Sequence, residues 1–405
     1  MWNMSFMMKA DLLRSGVIVA AIAVHGAGCQ SKSSTEAKPV SAPPTASADF
    51  NDPAVCAGCH SAIVAEFATS MHAAAHETAD PIFAAMRTFR IEREGVKLSA
   101  KCERCHSPRA ADGGKAATSG VTCTTCHNIA DVVMAEGKRG NEVLMPGPAG
   151  VLRGPHDVAA GVATIHGVGP ALPAIVDGTT VCMACHEVEK NAAGVVTCAT
   201  GMEHDRNGAS CASCHMPEVA TANGAASTRP THRSHAFVGP HAAWSSQAPG
   251  AGAPGLLAAA TTLRGELVGG TLKVSLHNGS GHNFPSGFPG RLAVLGMQGF
   301  DAQGAAIWQN IKTDPMKEHP EAVFNKMYVD AAGQPVLAPY GVTLTRDNTL
   351  KRDETRQIEI AVPTAVVRVE LALKYWLVAP LAAKTLQISG SLAEPRVRLK
   401  ATVTR

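Results

Sequence analysis

Large aromatic side chains are scarce in this sequence: Phe, Tyr and Trp make up 4% of 405 residues. Part of the large, flat apolar surface of its core must therefore come from something other than aromatic residues. Charge is sparse as well. Charged residues amount to 17%, the formal net charge is +3, and no stretch gathers Lys and Arg into a basic stripe, which argues against a nucleic-acid partner. Long hydrophobic runs are missing too: the apolar run at residues 16–24 is too short for a comfortable membrane span. With 45% hydrophobic residues, the length suits two or three soluble domains.

That short run, flanked by Lys9 and Arg14 and followed by small residues and Cys29, reads as an export signal of the bacterial lipoprotein type over residues 1–29. Gly26-Ala27-Gly28-Cys29 lacks the Leu-like residue such signals carry three positions before the cysteine, so a cut near Gly28 or an uncleaved anchor are the alternatives. Residues 30–50, rich in Ser, Thr, Pro and Ala, read as a disordered tether. The expected location is the periplasm or cell surface, with a lipid anchor to the membrane at Cys29.

Cysteine is where the sequence is rich. Five times it carries Cys-x-x-Cys-His: Cys56, Cys59, His60; Cys102, Cys105, His106; Cys123, Cys126, His127; Cys182, Cys185, His186; and Cys211, Cys214, His215. Random placement of twelve Cys and seventeen His would give on the order of 0.01 copies. Two thiols three residues apart sit on one side of a helical turn and can form thioethers to the two vinyl groups of a haem, while the next imidazole binds the iron. Zinc would pair Cys-x-x-Cys units without a histidine at a fixed offset, and exported proteins seldom keep ten free thiolates. Five covalently bound haem c groups are thus expected. Cys198 is left over and reads as a small buried hydrophobe in preference to a reactive group. About 37 residues per haem is too little protein for separate pockets, so the haems must pack on one another.

"CAGCHSAIVAEFATSMHAAA", "CERCHSPRA", "GVTCTTCHNI", "CHMP" and "RSHAF", in that order over residues 52–241, resemble the multihaem cytochrome c superfamily that includes the tetrahaem electron carrier of nitrifiers, hydroxylamine oxidoreductase and pentahaem nitrite reductase. The resemblance implies stacked and perpendicular haem pairs, mostly with histidine on both sides of the iron. It implies second ligands at His72, His166 and His235, and less firmly at His156, where the family often has an aromatic residue. His72 is expected on a helix with Ile63, Val64, Phe67 and Met71 on its buried face, and His76 facing solvent. His232 and His241 are expected to be ordinary polar residues, and Met71 and Met216 packing groups.

Past a linker at 246–255, runs such as 263–278, 291–300, 356–363, 366–378 and 386–392 alternate with period two and are broken by Gly-Gly and Asp-Ala-Gln-Gly turns, which predicts antiparallel strands. The expected fold is a mainly α/irregular multihaem cytochrome c domain at 51–245 followed by an all-β, sandwich-like domain at 256–405. Within the latter, His282, Pro285, Ser286 and Gly287 match a pattern carried by relatives with a β-rich domain; His282 is read as reaching a haem, or as a turn residue held by its own hydrogen bonds.

Five second ligands would leave no open iron, so no catalytic residue is assigned. The family's nitrite reductases replace one motif histidine by lysine, and hydroxylamine oxidoreductase uses a tyrosine cross-link; all five motifs here end in histidine, and Tyr328, Tyr340 and Tyr375 lie in the C-terminal part. The expected function is electron transfer to or from a redox protein or quinol-oxidising complex. The alternatives are an oxidoreductase acting on a nitrogen or sulfur oxyanion at one open haem, and a docking subunit of a larger redox complex.

Overall fold

The computed structural model describes residues 49–158, 166–225, 227–243 and 260–405, which belong to one compact unit. Cys29, the tether up to residue 48 and the linker at 246–255 lie outside the described residues. No helix among the described residues is long and apolar enough to cross a membrane.

The first half is built from short helices joined by turns. They are α1 (Pro53–Ala57), α2 (Ser61–Ala68), α3 (Pro81–Glu94), α4 (Ser99–His106), α5 (Cys123–His127), α6 (Pro173–Val176), α7 (Thr180–His186), α8 (Thr200–Glu203) and α9 (Cys211–His215). Four of the five Cys-x-x-Cys-His motifs end a helix (α4, α5, α7 and α9), and the first begins in α1. Two-residue to four-residue strands pair between them: β1 (Ile129–Val132) with β2 (Leu144–Pro146), β3 (Val151–Leu152) with β4 (Gly167–Val168), and β5 (Glu218–Val219) with β6 (His232–Arg233). The apolar cluster of this half is small, built on Ile129, Val132, Val143, Leu144, Leu172, Ala174 and Ala184. So few buried apolar side chains cannot offset the ordering of nearly two hundred residues unless bound groups add to the core.

Helix α2 stops at Ala68, short of the sequence expectation, so Met71 and His72 stand in the turn beyond it. The Thr69 hydroxyl donates to the Glu66 carbonyl at 2.7 Å and the Ser70 hydroxyl accepts from the Ala73 amide at 3.1 Å; such local bonds compete with helix continuation. Of the expected buried face only Phe67 is fully covered.

The second half is antiparallel β. A three-stranded sheet runs in the order β14 (Thr355–Ala361), β8 (Thr271–Asn278), β7 (Thr261–Val268). A seven-stranded sheet has the path β12 (Pro335–Val336), β11 (Val323–Val329), β9 (Leu292–Phe300), β15 (Arg368–Trp376), β16 (Arg396–Thr404), with β10 (Ala306–Gln309) on β9 and β13 (Thr343–Asp347) on β11. Alternate residues of both sheets, Leu272, Val274 and Leu276 from one and Leu295, Leu371 and Leu373 from the other, meet in one core. The β7–β8 turn is Gly269-Gly270 with φ of +57° and +84°, a backbone that glycine adopts without strain. The strand expected at 386–392 does not form. Pro380 starts a helix to Thr385, Gln387 takes φ +55°, and the Ile388 amide bonds back to Ala383, so the alternation there belongs to a helix end.

Many contacts join the halves, and two of them, one apolar and one charged, stand out. Asp80 caps α3 by accepting from the amides of Ile82 and Phe83, Pro81 follows at its first position, and the face Ile82, Ala85, Met86, Phe89 packs into the β core. The other is polar: Lys326 of β11 meets Glu203 of α8 at 2.9 Å, with side chains 10% and 6% exposed, and Ser286 donates to the second Glu203 oxygen at 2.6 Å. Lys326→Ala would strand that carboxylate away from water, and a loss of about 3–5 kcal/mol is expected. Denaturant unfolding of the haem-loaded protein measures it; an unchanged midpoint would show the pair to be idle.

Candidate haem sites

Three motif histidines face a histidine from elsewhere in the chain. His186 and His72 have ring centroids 6.2 Å apart, His127 and His235 6.2 Å, and His215 and His282 6.3 Å. Interplanar angles are 44°, 26° and 14°. These rings are too far apart to stack. Two metal–nitrogen bonds of about 2 Å, plus about 1.1 Å from each nitrogen to its ring centre, give about 6.2 Å, the spacing of two imidazoles on one iron.

The hydrogen bonds aim the same way. Nδ1 of His127 donates to the Arg153 carbonyl at 2.6 Å, that of His215 to Val238 at 2.7 Å, that of His235 to Arg233 at 2.8 Å and that of His282 to Asn283 at 2.8 Å. A carbonyl only accepts, so Nδ1 carries the proton and Nε2 keeps a lone pair for a metal. His60 and His106 are prepared alike, on the carbonyls of Asn223 at 2.5 Å and Ala75 at 2.8 Å. Desolvation and the surrounding histidines push His72 down to about 3 and His186 to about 4, which keeps both in the neutral form that binds iron.

Thiols of different motifs also lie near one another: Cys56 beside Cys123, Cys105 beside Cys185, and Cys182 beside Cys211. Motif one thus lies against motif three, two against four, and four against five. None of the ten motif cysteines is in a disulfide, so each is available to a thioether. Donor chemistry, spacing and orientation fit haem c.

The remaining expected ligands sit differently. His156 is exposed, and His166 is half-buried with Nδ1 donating to the Gly167 carbonyl at 3.0 Å; neither ring faces a motif histidine at the spacing above. Among the described residues His60 and His106 have no such partner. Phe83 of α3 lies flat on the His106 ring at 3.6 Å and 5°. His232 has both nitrogens engaged, Nδ1 on the Thr221 carbonyl and Nε2 on Glu66, and is the polar residue the sequence suggests. Desolvation, with Arg291 nearby, pushes the His241 imidazole down to about 3. Burial pushes the Cys198 thiol up to about 11, against ready ionisation.

Sequence reasoning passed over two glycines. Gly120 has φ +69°, and a Cβ there would come 2.6 Å from the His72 carbonyl, which accepts from the Val121 amide at 2.9 Å. Gly140, φ +57°, presses its Cα against the backbone of Arg104 and Cys105. The quoted "GVTC" carried the first signal, since a glycine one step before a motif marks a close backbone approach.

The family model for cytochrome c554 and c-prime matches residues 55–128, a stretch that holds the first three motifs and His72. The crystal structure of a penta-heme cytochrome c552 from Thermochromatium tepidum is similar with a TM-score of 0.71 and 25% identity, covering 87% of this chain and 98% of that one. Both likenesses are to multihaem c-type cytochromes. No curated protein sequence matches this chain. A c-type cytochrome needs covalent haem held by neutral imidazoles, and the motif cysteines and histidines here are of the kind that supply both. Helices and antiparallel sheets together form the architecture that the chain shares with that neighbour.

Proposed function

We propose that the chain is an exported pentahaem cytochrome that passes electrons to or from a redox protein, with three haems held by His186 and His72, His127 and His235, and His215 and His282. The three ring pairs at 6.2–6.3 Å carry this reading. Five motifs, and a neighbour whose name gives it five haems, support the count. Neighbouring thiols of motifs one and three, two and four, and four and five support a close-packed array. Bound haem supplies one-electron chemistry; the polypeptide fixes each imidazole through its carbonyl partner and covers the array with α3 and the two β layers, read as a sandwich. The signal-like run before Cys29 supports export and a lipid anchor.

Electron paramagnetic resonance of the oxidised protein, with spin counted against covalent haem, tests the ligation. At least three low-spin haems per molecule are expected, and fewer would overturn the assignment. His106, with Phe83 on its face and no second histidine among the described residues, favours a second reading in which that haem has an open site for a nitrogen or sulfur oxyanion. A high-spin signal that nitrite, hydroxylamine or sulfite perturbs would support it; the absence of any high-spin iron would remove it.

A further inference from the structure

Glu66 has no place in the haem-binding motifs. It lies on α2, directly after the first motif, with its side chain 22% exposed. Its Oε2 accepts from the backbone amide of His235 at 2.8 Å. The same carboxylate accepts from Nε2 of His232, 3.1 Å from Oε2 and 3.2 Å from Oε1, and the His232 side chain is 3% exposed. Nδ1 of His232 in turn lies 2.8 Å from the Thr221 carbonyl and 3.3 Å from the Thr221 hydroxyl. One carboxylate thus bridges two histidines three residues apart, one with both nitrogens bound to protein and one whose ring faces His127.

The local chain cannot hold His235 unaided. Strand β6 ends at Arg233 after two residues, and Phe237 takes a φ of +44°, so the segment around His235 is irregular. Its own anchors are the Ser234 amide on the Pro217 carbonyl and Nδ1 of His235 on Arg233, both within the last part of the haem region. Glu66 is the tie to a different part of the fold, 169 residues away in sequence. A charge-assisted bond from a carboxylate to a backbone amide is short and strong, and here it sets the distance from α2 to the ligand's backbone.

We propose that Glu66 is the positioning residue of His235: it fixes the backbone from which that imidazole faces His127, and it places a negative charge beside one haem. The proposal rests on His235 being a haem ligand, as read above. Partners of this kind orient metal-bound histidines and tune the metal, and a nearby carboxylate favours the oxidised, more positive iron.

The test compares Glu66→Gln, Glu66→Ala, His235→Ala and the Glu66→Ala/His235→Ala double variant in the haem-loaded protein, by electron paramagnetic resonance and a spectroscopic redox titration. Glu66→Gln keeps an acceptor for the amide without the charge; it should retain every low-spin haem and shift the potential of one upward. Glu66→Ala should convert a fraction of one low-spin haem to high-spin, and the double variant should look like His235→Ala alone. If His235→Ala converts one haem while both Glu66 variants keep wild-type spectra and potentials, Glu66 is idle and the proposal fails with the ligation intact. If His235→Ala itself leaves the low-spin count unchanged, the ligation reading fails and the proposal falls with it. Should Glu66→Ala not fold, the potential shift of Glu66→Gln decides alone.

Discussion

His72→Ala converts one low-spin haem to high-spin without loss of covalent haem, and added imidazole restores the low-spin spectrum. The expectation follows from geometry. The His72 ring is 6.2 Å from that of His186, and among the described residues no other histidine outside the motifs faces His186 at that spacing. Thioether bonds to Cys182 and Cys185 would keep that haem in place when the ligand is lost, so the change should be confined to spin state and potential. His72 also packs edge-on against Phe237 at 4.3 Å, and its removal leaves a space that free imidazole can fill. Electron paramagnetic resonance and the visible spectrum read the outcome. A spectrum identical to the parent's, with the haem count unchanged, would mean that His72 does not reach iron.

Gly140→Ala should be more damaging than any surface change. A Cβ at this position would lie 1.7 Å from the Arg104 carbonyl oxygen and 2.4 Å from its carbon, both backbone atoms of the second motif's helix. The neighbourhood cannot yield easily: Arg139 donates to the Val188 carbonyl at 2.6 Å, and Arg104 pairs with Glu142 at 3.0 Å and Glu189 at 2.8 Å. That knot holds motif two to the chain just after motif four. A loss above about 4 kcal/mol is expected, accompanied by incomplete haem loading. Gly137→Ala is the control, because φ there is also positive, +71°, but nothing lies within 4 Å. It should cost about 1–2 kcal/mol. Thermal unfolding together with covalent haem content separates the two, and equal effects would refute the steric account.

What the sequence discloses is the chemistry that local spacing dictates. Cys-x-x-Cys-His needs only one helical turn to present its donors, and each motif can be read without knowing the fold. His72, His235 and His282 could be nominated as second ligands by family pattern, yet nothing in the sequence tells which motif each one faces. That pairing comes from chain topology, which brings a turn after α2 to α7 and a loop between β8 and β9 to α9. Strands with strict alternation, such as β8 and β15, were plain, whereas β11 was not singled out because its burial alternates weakly, nor β13, a short strand that alternates only between exposed and half-buried positions. Helix α3 shows a further limit. Its apolar face could be read from the sequence, but the partner of that face, a β core starting some 170 residues later, could not.

The three histidine pairs also change how the unfolded chain should be pictured. Each brings together residues roughly 70 to 115 positions apart, so an iron held by both rings would close a loop of the length at which a covalent cross-link removes about 4–5 kcal/mol of chain freedom. The spans 72–186, 127–235 and 215–282 overlap in series, so opening any one loop leaves its ends tethered by the next. Thioether bonds would keep each metal on one end of its loop even after the other imidazole lets go, and rebinding would then be intramolecular. Such a chain should recover from local opening quickly, and it should yield to ligands that compete for iron sooner than to agents that merely weaken apolar contacts.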